Sequence, residues 1–164
     1  MGDEKQVIIF ALDDSDHSFY ALEWTLEQLI IPTGSVFKLL IIHARTSPSG
    51  IIGLAGPGAS DVLDAVEADL KRTATQVMEK AKDLCSQKGV KDVEFDVQDG
   101  DARNVACDAV DRHHASLLVL GSHGYGSFKR AVLGSVSDYC SHHANCSVMI
   151  VKKPKCTKLH TAAN

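Results

Sequence analysis

The feature that most constrains this chain is a series of short, unbroken apolar runs separated by stretches of helical periodicity. Val7-Ile8-Ile9-Phe10-Ala11-Leu12, Leu39 to Ile42, Leu117 to Leu120 and Val148 to Val151 are apolar at every position. A strand with one wet face alternates, whereas a continuous run suits a strand covered on both faces, as in a parallel sheet wrapped by helices. Between the runs, Phe19, Leu22, Leu26, Leu29 and Ile30 recur at helical spacing until Pro32 and Gly34 end the pattern. Val62, Val66, Leu70, Ala74, Val77, Ala81 and Leu84 mark one face of a longer helix that Gly89 stops. Ala102 to His113 and Gly134 to Ala144 fit two shorter helices. Val93, Phe95 and Val97 alternate with Glu94, Asp96 and Gln98, as in a strand with an exposed face or at a sheet edge. The order is β-α-β-α-β-α-β-α-β, and right-handed crossovers then favour an α/β fold with one doubly wound parallel sheet, helices on both faces.

A chain of 164 residues is long enough for one such domain. The expected domain covers residues 5–153, with a Pro/Gly/Ser-rich loop from Ser47 to Ser60 and a disordered tail over 154–164. The formal charge of -4 and the lack of a basic stripe argue against a nucleic-acid partner. The small cluster Lys152, Lys153, Lys155 and Lys158 reads as a solvated tail. Five scattered cysteines with no CxxC pair suggest reduced thiols inside a cell and no zinc site. Val7 to Leu12 is too short for a membrane span or a signal-peptide core. A cytoplasmic location is expected, with the nucleus also open to the protein.

In doubly wound sheets, ligands bind beyond the carboxyl ends of the strands, where the strand order reverses. Three segments fall there: Asp13 to Ser18, His43 to Ser47, and Gly121 to Ser137. The last is the most informative. It leaves a buried strand as Gly121-Ser122-His123-Gly124-Tyr125-Gly126-Ser127 and enters a helix as Gly134-Ser135-Val136-Ser137. Glycine lets a backbone approach a ligand closely, and the free amides of a helix start suit a phosphate. Ser135 and Ser137 are candidate hydroxyl donors. The segment is not a P-loop, because Ser127 stands where the lysine belongs. Nor is it a dinucleotide fingerprint, since Ala11-Leu12-Asp13-Asp14-Ser15 after the first strand has no glycine. A tight turn with no ligand remains the plain alternative.

With these residues in view, the chain resembles the nucleotide-binding branch of the universal stress protein family. Gly121, Gly124, Gly134 and Ser135 match that branch's Gly-x2-Gly-x9-Gly-Ser/Thr at every position. Ala11-Leu12-Asp13-Asp14-Ser15-Asp16-His17-Ser18 is similar to the family's Val-Asp-Gly-Ser-x-x-Ser, and Leu40-Ile41-Ile42-His43-Ala44 to its Leu-Leu-His-Val. The likeness runs over residues 5 to 153, and the loop before the long helix looks like that of single-domain plant members. It implies a Rossmann-like, five-stranded sheet of order 3-2-1-4-5 that binds ATP or another adenine nucleotide; magnesium bridging the phosphates is left open, since no dedicated carboxylate pair marks a site for it.

The resemblance also implies roles. Ala11, Leu12, Asp13 and Ser15 would be nucleotide-binding, with Asp13 accepting from the ribose hydroxyls. Backbone groups of Ala44 would read the adenine edge. Gly121, Ser122, His123, Gly124, Tyr125, Gly126 and Ser127 would wrap the ribose and phosphates, and Gly134, Ser135, Val136 and Ser137 would hold the distal phosphates. Asp14, where the family often has glycine, is expected to face solvent. Asp13 has a bland alternative as a helix cap. His43 is read as packed, and His113-His114 and His142-His143 as solvated helix ends. Lys129 and Arg130 stay open between phosphate and solvent. The leading function is a stress-response regulatory module that binds nucleotide. A slow ATPase and a chaperone-like protein with incidental nucleotide are the alternatives. The absence of a P-loop lysine and of an evident water-positioning base disfavours fast hydrolysis. In the order 3-2-1-4-5 the last strand, Val148 to Val151, is an apolar sheet edge, so a homodimer through it is expected.

Overall fold

Ile8, Ile9 and Phe10 are wholly buried because their strand is the middle one of a parallel sheet. The structure is a computed structural model and describes residues 4–48, 60–123 and 133–155. Most of the expected loop between Ser47 and Ser60, the glycine-loop residues Gly124 to Ser127, and the tail from Cys156 lie outside the described residues. The strands are β1 (Gln6–Leu12), β2 (Phe37–Arg45), β3 (Val93–Asp99), β4 (Leu117–Gly121) and β5 (Ser147–Val151), paired in parallel in the order β3-β2-β1-β4-β5. The helices are α1 (Asp16–Thr25), α2 (Ser60–Gln87), α3 (Ala102–His113) and α4 (Ser135–His143).

Alternate residues of the central strands feed two cores, which is why these runs are apolar throughout. Ile8, Phe10, Leu12, Leu39 and Ile41 pack with Ala21, Leu22 and Leu26 of the first helical stretch and with Val77, Met78 and Ala81 of α2. Ile9, Leu40, Ile42, Leu118 and Leu120 pack with Val105, Ala106, Ala109 and Val110 of α3 and with Cys140 of α4. Thus α1 and α2 cover one face, α3 and α4 the other. The sheet is doubly wound.

The helical path from α1 runs on past Thr25 through a π turn (Leu26–Ile30) and a last turn (Ile31–Thr33), and Gly34 ends it at φ +64°. Pro32 has no N–H to give to an i−4 carbonyl, and the wider turn lets the helix carry it. Glycine suits the positive φ that follows. β2 is longer than its apolar run because its polar end stays paired: Ala44 lies opposite Gln98, and Arg45 opposite Asp99. α3 starts on Asp101, whose carboxylate accepts the Arg103 amide at 3.0 Å. It ends on His114 in the left-handed region at φ 47°.

Candidate functional site

The chain turns back from β1 to β2 on one side and later crosses to β4 on the other. The carboxyl ends of β1 and β4 therefore border the crevice where strand order reverses. At the first end, Leu12 still pairs with His43 of β2, but the ladder to β4 has already stopped at Ala11 and Leu120. Ser15 caps α1, its Oγ accepting the Ser18 amide at 3.1 Å. The Ser18 hydroxyl reaches back to accept the Asp13 amide at 3.0 Å. Oδ1 of Asp13 accepts the Ser15 amide at 2.9 Å and also the Ser15 hydroxyl. The helix cap is thus Ser15 rather than Asp13. The half-buried Asp13 carboxylate is held in place, and its Oδ2 accepts no hydrogen bond from the described residues. Asp14 is exposed, as expected, and pairs with Lys80 of α2 at 2.9 Å.

At the second end, Gly121 does a job the sequence did not disclose. A Cβ there would lie 3.0 Å from the His17 carbonyl oxygen and 3.2 Å from the Ser18 nitrogen. The glycine lets the first turn of α1 seat against β4. Ser122 is buried, and its amide donates to the Val151 carbonyl at 3.1 Å, extending the β4–β5 pairing. Its carbonyl accepts both the Gly134 amide at 2.7 Å and the Ser137 hydroxyl at 3.2 Å. These two bonds form a neck that fixes where the chain leaves β4 and where it returns to α4. Ser137 is buried with its hydroxyl turned to this neck, so that hydroxyl does not act as the free donor expected of it. Ser135 is exposed and Val136 half-buried.

Gly134 is the N-cap of α4 in extended backbone, φ -72° and ψ 162°, and offers no side chain to the first-turn amides. The amides of Ser135, Val136 and Ser137 have no acceptor among the described residues. Their partial positive charge suits an anion.

At the β2 end, His43 is half-buried with Nδ1 donating to the Leu12 carbonyl at 2.8 Å, which fixes the ring as a structural group. Ala44 and Arg45 run past the end of β1 while still paired with β3, so one edge of their backbone is free of the sheet. This is the geometry expected of Ala44. Beside it the Arg45 guanidinium grips Asp99 through two bonds, Nε to Oδ1 at 2.5 Å and Nη2 to Oδ2 at 2.8 Å. That hydrogen bonding draws Asp99 below the usual carboxylate range and raises Arg45. Arg45, Asp99, Thr46 and Glu67 line a cavity of about 300 Å³ next to Ala44. The sequence reading missed this pair, although opposite charges at two strand ends were there to be matched.

His17 and His123, one from each side of the crevice, meet edge-to-face with ring centroids 5.3 Å apart, and the Nδ1 atom of each is buried without a hydrogen-bond partner among the described residues. His123 was expected to serve through its backbone. Its carbonyl lies 3.5 Å from the Ser15 hydroxyl. His142 and His143 behave as helix-end residues: both are exposed, and Nδ1 of each donates to a carbonyl one turn back, that of Asp138 and of Tyr139, both at 2.8 Å. Among the described residues no cluster of three metal-ligating side chains occurs. The structure thus brings together Asp13, Ser15, Gly121, Ser122, His123 and the start of α4, with Ala44 one strand away. Gly124, Tyr125, Gly126, Ser127, Lys129 and Arg130 lie outside the described residues.

A doubly wound α/β domain whose candidate binding residues gather at its switch point is the class this geometry defines. The chain matches the model of the universal stress protein family over residues 5–152, and it belongs to that family. It is 31% identical to a universal stress protein A-like protein of Arabidopsis thaliana, over 93% of each chain. Among solved structures it is similar to a universal stress protein UspA from Lactobacillus plantarum, with TM-score 0.75 and 20% identity over 89% of this chain and 97% of that one. It is also similar to a universal stress protein family protein from Arabidopsis thaliana with AMP bound, with TM-score 0.65 and 26% identity over 91% and 92%.

Proposed function

We propose that this chain binds an adenine nucleotide, ATP or AMP, across the carboxyl ends of β1, β2 and β4, and works as a nucleotide-dependent regulatory module in a stress response. The observation that carries the reading is the neck at Ser122. It returns the chain so that the uncapped amides of Ser135 to Ser137 begin beside the crevice that holds the Asp13 carboxylate. Asp13, with Oδ1 committed to Ser15, has Oδ2 left for the ribose hydroxyls. In this reading the backbone edge at Ala44 that β1 leaves unpaired takes the adenine. Phosphates fall to the first turn of α4, where helix-end amides and the dipole favour negative charge. The similar Arabidopsis family protein has AMP bound, which supports an adenine nucleotide as the ligand.

Magnesium fits this site only as a companion of the phosphates. It keeps much of its water and asks for one or two carboxylates at most. No helix among the described residues is long and apolar enough to cross a membrane. Mass spectrometry of small molecules released from the heat-denatured protein, with calorimetry against ATP, ADP, AMP and cyclic AMP, tests the proposal. Binding of at least one is expected. No binding of any at millimolar concentration overturns it.

A further inference from the structure

We propose that the side chains of His17 and His123 form a two-imidazole clasp for the phosphate that joins the ribose. The clasp rests on the nucleotide reading above and adds side chains to it. His17 stands at an unspecified position of the family's Val-Asp-Gly-Ser-x-x-Ser, and His123 is expected to act through its backbone.

His17 lies in the first turn of α1, and His123 comes two residues after β4 ends. Gly121 brings them together. Because it has no Cβ, the His17 carbonyl oxygen sits 3.0 Å from where that atom would stand. The rings then meet across the crevice, edge to face, with centroids 5.3 Å apart. Both residues are half-buried, yet the Nδ1 atom of each is shut off from solvent and has no hydrogen-bond partner among the described residues.

A buried polar atom left without a partner costs stability, and nearly all such atoms in folded chains are paired. Two phenyl rings would make the same edge-to-face contact without that cost. The free protein therefore carries two unmade hydrogen bonds where its strand order reverses. Rotation of a histidine ring about its Cβ–Cγ bond is soft, so each half-exposed ring can turn Nδ1 toward a ligand in the crevice.

The surroundings set the charge of that ligand. The amides of Asp16 and His17 at the start of α1, and of Ser135 to Ser137 at the start of α4, have no acceptor among the described residues. Two helix N-termini favour an anion and oppose a metal ion. Among the described residues no third metal-ligating side chain completes the pair. An imidazole Nδ1 can carry a proton in both the neutral and the charged ring, so it can donate to a phosphate oxygen in either form. Position then selects the phosphate. His17 follows Asp13, which takes the ribose, by four residues, and α4 takes the distal phosphates. The pair stands between them, where the first phosphate passes.

Calorimetry of the full chain against adenosine, AMP and ATP, with melting curves of the nucleotide-free protein, tests the clasp. His17→Phe keeps a ring for the contact and removes the nitrogens. It should melt higher than wild type without ligand and bind AMP and ATP about 10-fold or more weaker, with adenosine affinity unchanged. His17→Asn, which offers an amide donor near the place of Nδ1, should recover most of the AMP affinity. A phenylalanine variant that melts lower, one that keeps the wild-type ratio of AMP to adenosine affinity, or an asparagine variant as weak as the phenylalanine one overturns the clasp and leaves nucleotide binding standing. A wild-type chain that binds no nucleotide overturns the nucleotide reading and the clasp with it.

Discussion

Ser15 gives its amide, at 2.9 Å, and its hydroxyl to the same oxygen of Asp13, while its Oγ accepts the first-turn amide of Ser18 in α1 at 3.1 Å. One serine therefore both caps a helix and aims a carboxylate, and two variants separate the jobs. Ser15→Ala should lower stability by about 1 kcal/mol, the usual cost of a lost N-cap. It should also weaken nucleotide binding, because Asp13 is no longer held. Asp13→Asn keeps an oxygen to accept from Ser15 and should unfold close to the wild type, yet lose about 10-fold or more in affinity, as for a lost hydrogen bond to a charged group. Thermal melts and calorimetry read the two effects. Equal affinity of Asp13→Asn and wild type would show that the carboxylate does not meet the ligand.

Two glycines of the shared motif should fail in different ways. A Cβ at Gly121 meets backbone atoms of His17 and Ser18, which cannot swing aside. Gly121→Ala should thus cost about 1–3 kcal/mol as overpacking. Gly134 has φ -72°, which any residue adopts, so Gly134→Val should fold. A branched side chain at the head of α4 should nevertheless crowd a phosphate there and raise the Kd for ATP by about 10-fold or more, roughly 1.4 kcal/mol. Melting curves and titration calorimetry of the two variants check the contrast.

How much of this was legible in the sequence depends on what each residue answers to. The strands of the centre were readable because Ile8, Ile9 and Phe10 feed two cores at once, and a run apolar at every position rarely arises in any other setting. The cap at Ser15 and the neck at Ser122 were not readable. Both are hydrogen bonds between segments whose approach is set by the sheet, and a serine reads the same whether its hydroxyl faces a ligand or a carbonyl. Ser137 is the instructive case: the motif marked it as a phosphate donor, and the fold turns its hydroxyl onto Ser122. Gly121 likewise matched a ligand motif while answering to the packing of α1.

Acid should weaken the β2–β3 end of the sheet. Hydrogen bonding from Arg45 holds Asp99 below its usual 3.8 in the folded chain. A depressed folded value gives stability that is present above the unfolded pKa and lost as pH falls through the folded one. Asp99→Asn should therefore be less stable than wild type at neutral pH. The difference should close below about pH 4, where the wild-type carboxylate also takes up a proton. Urea midpoints across the acid range measure this. A gap that persists unchanged at pH 2 would show that the pair acts by geometry alone.

Turnover of ATP should be slow, with product building up over minutes to hours. The Asp13 oxygen Oδ1 is occupied by Ser15, and the His43 Nδ1 proton is given to the Leu12 carbonyl. The sequence around the glycine loop has no P-loop lysine. A steady-state rate in the usual enzyme range of roughly 1–1000 per second would refute this.

The last prediction is a homodimer through β5. β5 lies at the end of the sheet, paired only with β4. The Ser122 amide donates to the Val151 carbonyl, so Val151 turns its main-chain groups toward β4. In a parallel ladder alternate residues face alternate sides, and Val148 and Ile150 therefore direct their N–H and C=O outward. No main-chain bond among the described residues reaches them. Their side chains are only half-buried, so the open edge is both apolar and ready to pair. Natural sheets rarely leave such an edge bare, and pairing with the same strand of a second copy about a two-fold axis closes the assembly. The outward direction of Ile150 gives a sharp test. Ile150→Pro removes an N–H that the β4 ladder does not use, and proline is tolerated on an edge for that reason. Wild type should scatter light as a dimer at micromolar concentration, and Ile150→Pro should be a monomer with an unchanged circular dichroism spectrum. A wild-type monomer at every accessible concentration, or a proline variant still dimeric, would place the contact elsewhere.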